Sequence, residues 1–225
     1  MALHLTGSIQ TTGSLGVTGS VEFTTNVQHP QSGTWSTADF LSQNTENLAG
    51  AGTKDAGLAF GGYSNFNPIS NTEEYNGTSW LAGGNLNEAA TKLGGTGTQT
   101  SALAMAGYGS NGNLNRVEEY NGATWTYGIS MPFVTRDFQA SGTQTAALAS
   151  SLFIDTTNTC CTLEFNGASW SSGGNMSDTA YGRAAAGTLN AALAIGGYGL
   201  YGANCTEEYD GVLWSTVGTL STARQ

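Results

Sequence analysis

Residues 48–81 read LAGAGTKDAGLAFGGYSNFNPISNTEEYNGTSWL, and they decide the fold. Four strand-sized pieces lie in this stretch. Leu48 to Thr53 is small and apolar, and Gly57 to Tyr63 is a short apolar run closed by a glycine pair. Thr72 to Tyr75 leads through Asn76-Gly77 into a last piece around Trp80. Asn-Gly between two strands predicts a type I′ hairpin, whose two central residues both need positive φ.

The same unit recurs along the chain. The tryptophans Trp35, Trp80, Trp125, Trp170 and Trp214 are spaced 45, 45, 45 and 44 residues apart. LAFGGY, LAMAGY, LASSLF and LAIGGY begin at Leu58, Leu103, Leu148 and Leu193, and Gly52, Gly97, Gly142 and Gly187 each precede a threonine. The hairpin signal returns as Asn121-Gly122, Asn166-Gly167 and Asp210-Gly211. Three markers in one phase establish an internal repeat. Four short strands per unit, small residues where sheets converge and a period of ~45 predict an all-β chain folded as a small β-propeller. Large Trp and Tyr side chains are expected between blades, where twisted sheets splay.

Composition agrees. Charged residues make up only 10% and glycine supplies 33 of 225 residues, against usual shares of ~25% and ~7%. A net charge of −10 repels a phosphate backbone, so nucleic acid is not an expected partner. MALHLTGSIQ has neither a basic start nor an unbroken apolar run, so no secretory signal is expected. No stretch approaches the ~20 apolar residues of a membrane helix. Cys160, Cys161 and Cys205 have no CxxC spacing and imply no zinc site; they read as plain thiols or as a disulfide between neighbouring repeats.

Residues 1–27 carry a period of their own. Thr6-Gly7-Ser8-Ile9, Thr12-Gly13-Ser14-Leu15 and Thr18-Gly19-Ser20-Val21 recur every six residues. The strip suits an anchoring or oligomerising segment, a trimer among the options, or a flexible leader. Residues 28–34, with Pro30 and Gly33, read as a linker, and 35–225 as the propeller. Four complete units with an extra Trp35 segment predict four or five blades closed by pairing of the two termini. A fifth blade would use Leu15 to Phe23.

The glycine pairs Gly61-Gly62 and Gly196-Gly197, with Tyr75 and Trp80, and Tyr209 and Trp214, resemble a kelch-type β-propeller repeat. The chain departs from ordinary kelch spacing: Tyr and Trp are five apart, the second copy has Ala106-Gly107 and the third Ser150-Ser151. The variant with EEYNG-x-x-W and GTQTxALA resembles repeats in virion proteins of tailed bacteriophages, tail-fibre and surface proteins of marine phages above all, and the TGSLGVTGS leader is similar to N-terminal segments of phage fibre proteins. The resemblance implies a virion location, other virion proteins as partners through the N-terminal segment, and a host-surface glycan or receptor as ligand. Capsid decoration or a tail structural role without a host ligand is the alternative.

Little in the residues suggests catalysis. A catalytic site in a repeat protein must break the period, and Glu73-Glu74, Glu118-Glu119 and Glu207-Glu208 keep it, with Leu163-Glu164 in the third copy. These acids read as solvated or capping residues, or as weak calcium ligands. His4 and His29 lie outside the repeats, so no Ser-His-Asp triad falls within them. Paired carboxylates of a glycan-cleaving enzyme would have to come from Asp137, Asp155 or Asp178. No cofactor is expected. The loops after the glycine pair differ in content from copy to copy, as a binding face on a fixed scaffold would. Asn65, Phe66, Asn111, Asp155 and Tyr201 are the expected ligand-binding residues, since aromatic faces with amides and carboxylates suit sugars. A second variable set, Glu88, Pro132, Phe133, Arg136, Asp178 and Arg183, is expected to face a docking partner.

Overall fold

The structure is a computed structural model that describes residues 38–154, 157–197 and 204–222. Among these residues every regular element is a β-strand. Sheet I holds Ala49–Thr53, Ala56–Phe60, Thr72–Tyr75 and Trp80–Ala82 in that order. Sheet II repeats it with Gly94–Thr98, Ser101–Gly109, Gly112–Tyr120 and Trp125–Tyr127, sheet III with Gln139–Thr143, Ala146–Ser150, Thr162–Phe165 and Trp170–Ser172. Sheet IV comprises Ala184–Thr188, Ala191–Ile195, Cys205–Tyr209 and Trp214–Thr219. All neighbouring strands are antiparallel, and sheet II is extended by Thr135–Arg136 and the hairpin Phe153–Ile154 and Thr157–Asn158.

The Gly-Thr marker closes the first hairpin of every sheet. Gly52, Gly97, Gly142 and Gly187 have φ of +95°, +112°, +110° and +117°, and a Cβ at Gly97 would lie 2.3 Å from the Ser101 carbonyl oxygen. Only glycine fits such a turn. The first strands of successive sheets pack side by side, 49–53 on 94–98, 94–98 on 139–143, and 139–143 on 184–188. Small residues allow this approach: a Cβ on Gly95 would come within 2.8 Å of the Ala49 methyl.

The Asn-Gly hairpins form, with a different turn from the one expected. Tyr75 pairs with Trp80, so four residues make the loop, and of Asn76 and Gly77 only the glycine takes a positive φ, +91°. The Asn76 side chain accepts the N–H groups of Thr78 and Ser79 at 2.9 Å, so it closes the turn from outside the left-handed region. The left-handed pair after the second strand is also displaced in the third copy: Ser151 has φ +56°, in line with Gly61, Ala106 and Gly196, and so Leu152 rather than Ser151 matches the second glycine.

Apolar side chains fill the spaces between sheets. Leu58 and Phe60 of sheet I meet Ala102, Ala104, Tyr120 and Trp125 of sheet II. Leu103, Met105 and Val117 of sheet II meet Ala147, Ala149, Leu163 and Phe165, and Leu148 of sheet III meets Ala192 and Tyr209. Trp125, Trp170 and Trp214 therefore lie where the sequence places the tryptophans, between sheets, whereas Trp80 lies on a face of sheet I that no described sheet covers: Trp125 is 4% exposed, with its ring 4.9 Å from that of Phe60. Cross-sheet hydrogen bonds orient these rings. Trp125 donates its indole N–H to Thr72 Oγ1 and Trp214 to Thr162 Oγ1, both at 2.9 Å. Tyr120 donates its hydroxyl to Glu74 at 2.5 Å, and Tyr209 donates to Glu164.

The first acid of each pair is buried and caps a connecting segment. Glu73 accepts the N–H and hydroxyl of Ser42, at 3.0 and 2.8 Å; Glu118 accepts the N–H groups of Asn87 and Glu88, at 2.8 and 3.1 Å; Glu207 accepts the Ser177 N–H at 2.8 Å. A hydrogen bond to a carboxylate contributes about 1.5–3 kcal/mol. Burial of the acids is thereby offset, and a solvated role is not what they have.

All three cysteines are free thiols. Asp178 and Arg183, expected on a docking surface, are instead buried: Arg183 lies 3.2 Å from Glu207 and 3.7 Å from Asp178, at a position where Leu93 and Phe138 serve the earlier copies. The six-residue-period leader, the linker and the N-terminal strands proposed for terminal pairing lie outside the described residues, and the last described strand, Trp214–Thr219, pairs with Cys205–Tyr209 of its own sheet. Among the described residues, no strand of sheet IV packs extensively on a strand of sheet I.

Candidate functional site

The segments that lead into the first strand of each sheet turn the chain sharply. Asn47, Lys92, Asp137 and Gly182 occupy equivalent positions and all have positive φ, of 53°, 56°, 52° and 66°. Three of the four are not glycine, so each carries a backbone cost of order 1 kcal/mol or more. Hydrogen bonds hold them in series: Lys92 donates its N–H to the Asn47 carbonyl at 2.9 Å, and Asp137 to the Lys92 carbonyl at 3.1 Å. One cleft of about 240 Å³ is lined by Asn47, Lys92, Asp137, Gln139, Tyr181 and Gly182, so all four sheets contribute to it.

Just before the first three of these turns, the chain pairs with the aromatic residue that ends the LAxxxY/F marker. Glu46 pairs with Tyr63, Thr91 with Tyr108 and Arg136 with Phe153. This collar opens two more hollows. One of about 370 Å³ lies among Glu46, Tyr63, Thr91, Lys92, Tyr108 and Arg136, and one of about 380 Å³ among Asn44, Glu46, Tyr63, Ser64, Asn65 and Phe66. Shared walls join the three: Tyr63 and Glu46 border both of the larger hollows, and Asn47 and Lys92 border the 370 Å³ hollow and the four-sheet cleft. The result is a trough, open along its length, with an aromatic floor and polar rims.

Its charged groups are held in place. The Arg136 guanidinium lies over the Tyr108 ring at 5.0 Å and the Phe153 ring at 4.7 Å, and donates to Asn113 Oδ1 at 2.9 Å. Asp137 is shared by Lys92 at 3.1 Å and Arg136 at 3.4 Å. Opposite charges thus neutralise each other at Lys92, Arg136 and Asp137, leaving rings, amides, hydroxyls and the Glu46 carboxylate as the accessible chemistry.

Of the residues expected to bind ligand, Asn65 and Phe66 form the outer end of the trough. They are the two turn residues of the hairpin Tyr63–Ser64 and Asn67–Pro68, with φ of 50° and 64°. Phe66 is 90% exposed, a bulky side chain in a left-handed turn with no packing to fix it there. Asn111 sits at the exposed tip of the corresponding hairpin in sheet II and does not line these hollows. Asp155 and Tyr201 lie outside the described residues. Sequence reasoning missed Tyr63, Tyr108, Lys92 and Asn47, and it assigned Arg136 to a docking face rather than to these hollows. The signal for the tyrosines was present, because every LA marker ends in Tyr or Phe.

No family model and no curated protein matches the chain.

Proposed function

We propose that this protein is a non-enzymatic binding scaffold, a kelch-like β-propeller of four to five blades that carries a glycan across the trough on its axial face. Strands that recur every 45 residues, first strands packed in sequence and a cleft lined by all four sheets support the propeller reading. The observation that carries the ligand class is the trough itself, in which Phe66, Tyr63 and Tyr108 are interleaved with Asn44, Asn47, Asn65 and Glu46. Sugars offer C–H faces to rings and hydroxyls to amides and carboxylates, and an open trough accepts a chain that continues beyond its ends.

A binding role fits the carboxylates better than hydrolysis does. Asp137 is tied to Lys92 and Arg136, and Asp178 is buried beside Arg183, so neither stands free in the trough as an acid or a nucleophile. The likeness of the repeats and leader to phage fibre proteins supports display on a virion, with the glycan on the host surface and other virion proteins as partners of residues 1–27. Several copies on one particle would turn weak contacts into firm attachment. Labelled chain incubated with immobilised bacterial surface polysaccharides tests the ligand class, and antibody against residues 48–225 tests the location by electron microscopy of particles. Binding to no polysaccharide would remove the glycan reading; unlabelled particles would remove the virion.

A further inference from the structure

We infer that the free face of sheet IV and the free face of sheet I are the two halves of one interface, made head to tail between copies of this chain. The junctions inside the chain define what each half must carry. Towards the following sheet, a sheet offers an apolar pair and two acceptors: sheet I offers Leu58 and Phe60, Thr72 Oγ1 and Glu74, and sheet III offers Leu148, Thr162 Oγ1 and Glu164. Towards the preceding sheet it offers an indole N–H and a phenol hydroxyl, from Trp125 and Tyr120 in sheet II and Trp214 and Tyr209 in sheet IV.

Sheet IV presents the first half with no described sheet upon it. Leu58, Leu103 and Leu148 are 2%, 0% and 2% exposed, whereas Leu193 and Ile195 are only half-buried. Gly94 and Thr96 of sheet II and Gln139 and Ser141 of sheet III are buried under the next sheet, whereas Ala184 and Ala186 are exposed. The acceptors are in place too: Thr206 corresponds to Thr72 and Thr162, and Glu208, which is exposed, to Glu74 and Glu164.

Sheet I presents the second half. Tyr75 and Trp80 are paired at 5.2 Å between ring centres, close to the 4.8 Å of Tyr120 with Trp125 and the 5.0 Å of Tyr209 with Trp214. Neither the Tyr75 hydroxyl nor the Trp80 indole N–H has a hydrogen-bond partner among the described residues, and Gly50 of the first strand is exposed where its counterparts Gly95 and Ala140 are half-buried. One face carries unused acceptors and the other unused donors, in the arrangement that two of the internal junctions use. Among the described residues no strand of sheet IV makes an extensive contact with a strand of sheet I, and a second copy is the occupant that carries the matching face. Such an interface is heterologous, and it leads to closed rings or open arrays.

Sedimentation of the full chain over a concentration series tests this with two variants, each bulky at an exposed position of one face: Ala186→Arg on sheet IV and Gly50→Arg on sheet I. The wild-type chain is expected to gain mass with concentration, and each variant alone to self-associate about 30-fold more weakly or not at all. Mixed one to one, the two variants are expected to form a dimer and nothing larger, because one intact face of each kind remains. Trp80→Ala, which adds no bulk, is expected to behave as Gly50→Arg does. A wild-type chain whose mass is independent of concentration, an assembly that neither variant weakens, or a mixture that forms no dimer would each overturn the inference.

Discussion

Pro132 and Leu163 stand at the two positions that a hydrogen bond joins in every other copy, as Ser42 with Glu73, Asn87 with Glu118 and Ser177 with Glu207. Proline has no N–H to give and leucine no carboxylate to receive it, so donor and acceptor are lost together. The same junction exchanges its other polar couples: Val117 replaces the threonine, Phe165 replaces the tyrosine, and Trp170 turns its indole N–H to the Ile129 carbonyl at 2.9 Å. An all-apolar core and a hydrogen-bonded one are alternative solutions to the same space, and a mixture of the two leaves a buried group unpaired.

Leu163→Glu alone should therefore be severe. It buries a carboxylate opposite Pro132, and the expected loss is about 3–5 kcal/mol of unfolding free energy. Adding Pro132→Ser restores the N–H and should recover about 1.5 kcal/mol or more. Urea denaturation of the two single variants and the double variant checks it, and strict additivity would contradict the coupling.

The tyrosine bridges predict a dependence on alkaline pH. Burial, and then the hydrogen bond to Glu74, push the Tyr120 hydroxyl up from 10.0 to about 12; burial and Glu164 do the same for Tyr209. A raised value means that the folded state holds the proton more firmly than the unfolded one. The stabilisation is fully present below pH 10 and is lost as pH rises through about 12. Tyr120→Phe should lower stability by about 1–2 kcal/mol at neutral pH and reduce the alkaline slope, measured by denaturation at several pH values.

Arg183 should tolerate replacement only in company. Arg183→Leu supplies the residue type of Leu93 but strands Glu207 and Asp178 in the interior, at an expected cost of about 3–5 kcal/mol. Arg183→Leu combined with Glu207→Leu and Asp178→Ala should regain most of that loss, by thermal unfolding of the single and triple variants.

How much of this was legible follows from which interactions repeat. Strands, hairpins and inter-sheet tryptophans could be read because their residues recur in type and phase, and Gly97 or Trp125 has no substitute in its place. A capping role for Glu118 was among the readings the sequence offered, but its partner was not legible, since Asn87 precedes it by 31 residues and nothing local marks the pair. The trough was half-legible. Phe66 and Asn65 stood out as variable-loop residues, but Asn47, Lys92, Asp137 and Gly182 share a backbone conformation rather than a chemistry, and only the structure aligns them. Arg183 looked like a surface residue because arginine usually is one; the acids that hold it inside lie at 178 and 207.

Phe66 offers a separation of stability from binding. Glycine at that turn relieves the left-handed strain, so Phe66→Gly is expected to stabilise the fold by about 0.5–1 kcal/mol while weakening glycan binding. Calorimetric unfolding and a binding titration on the same preparation distinguish the two effects. A variant that binds unchanged would remove Phe66 from the site.

The most direct measurement is binding of the full chain to an array of bacterial surface polysaccharides, beside the double variant Phe66→Gly with Tyr108→Ala. The expected result is retention of at least one polysaccharide by the wild-type chain and its loss, tenfold or more in affinity, in the variant. Wild-type binding to none, or equal binding by both proteins, would contradict a glycan site in the trough.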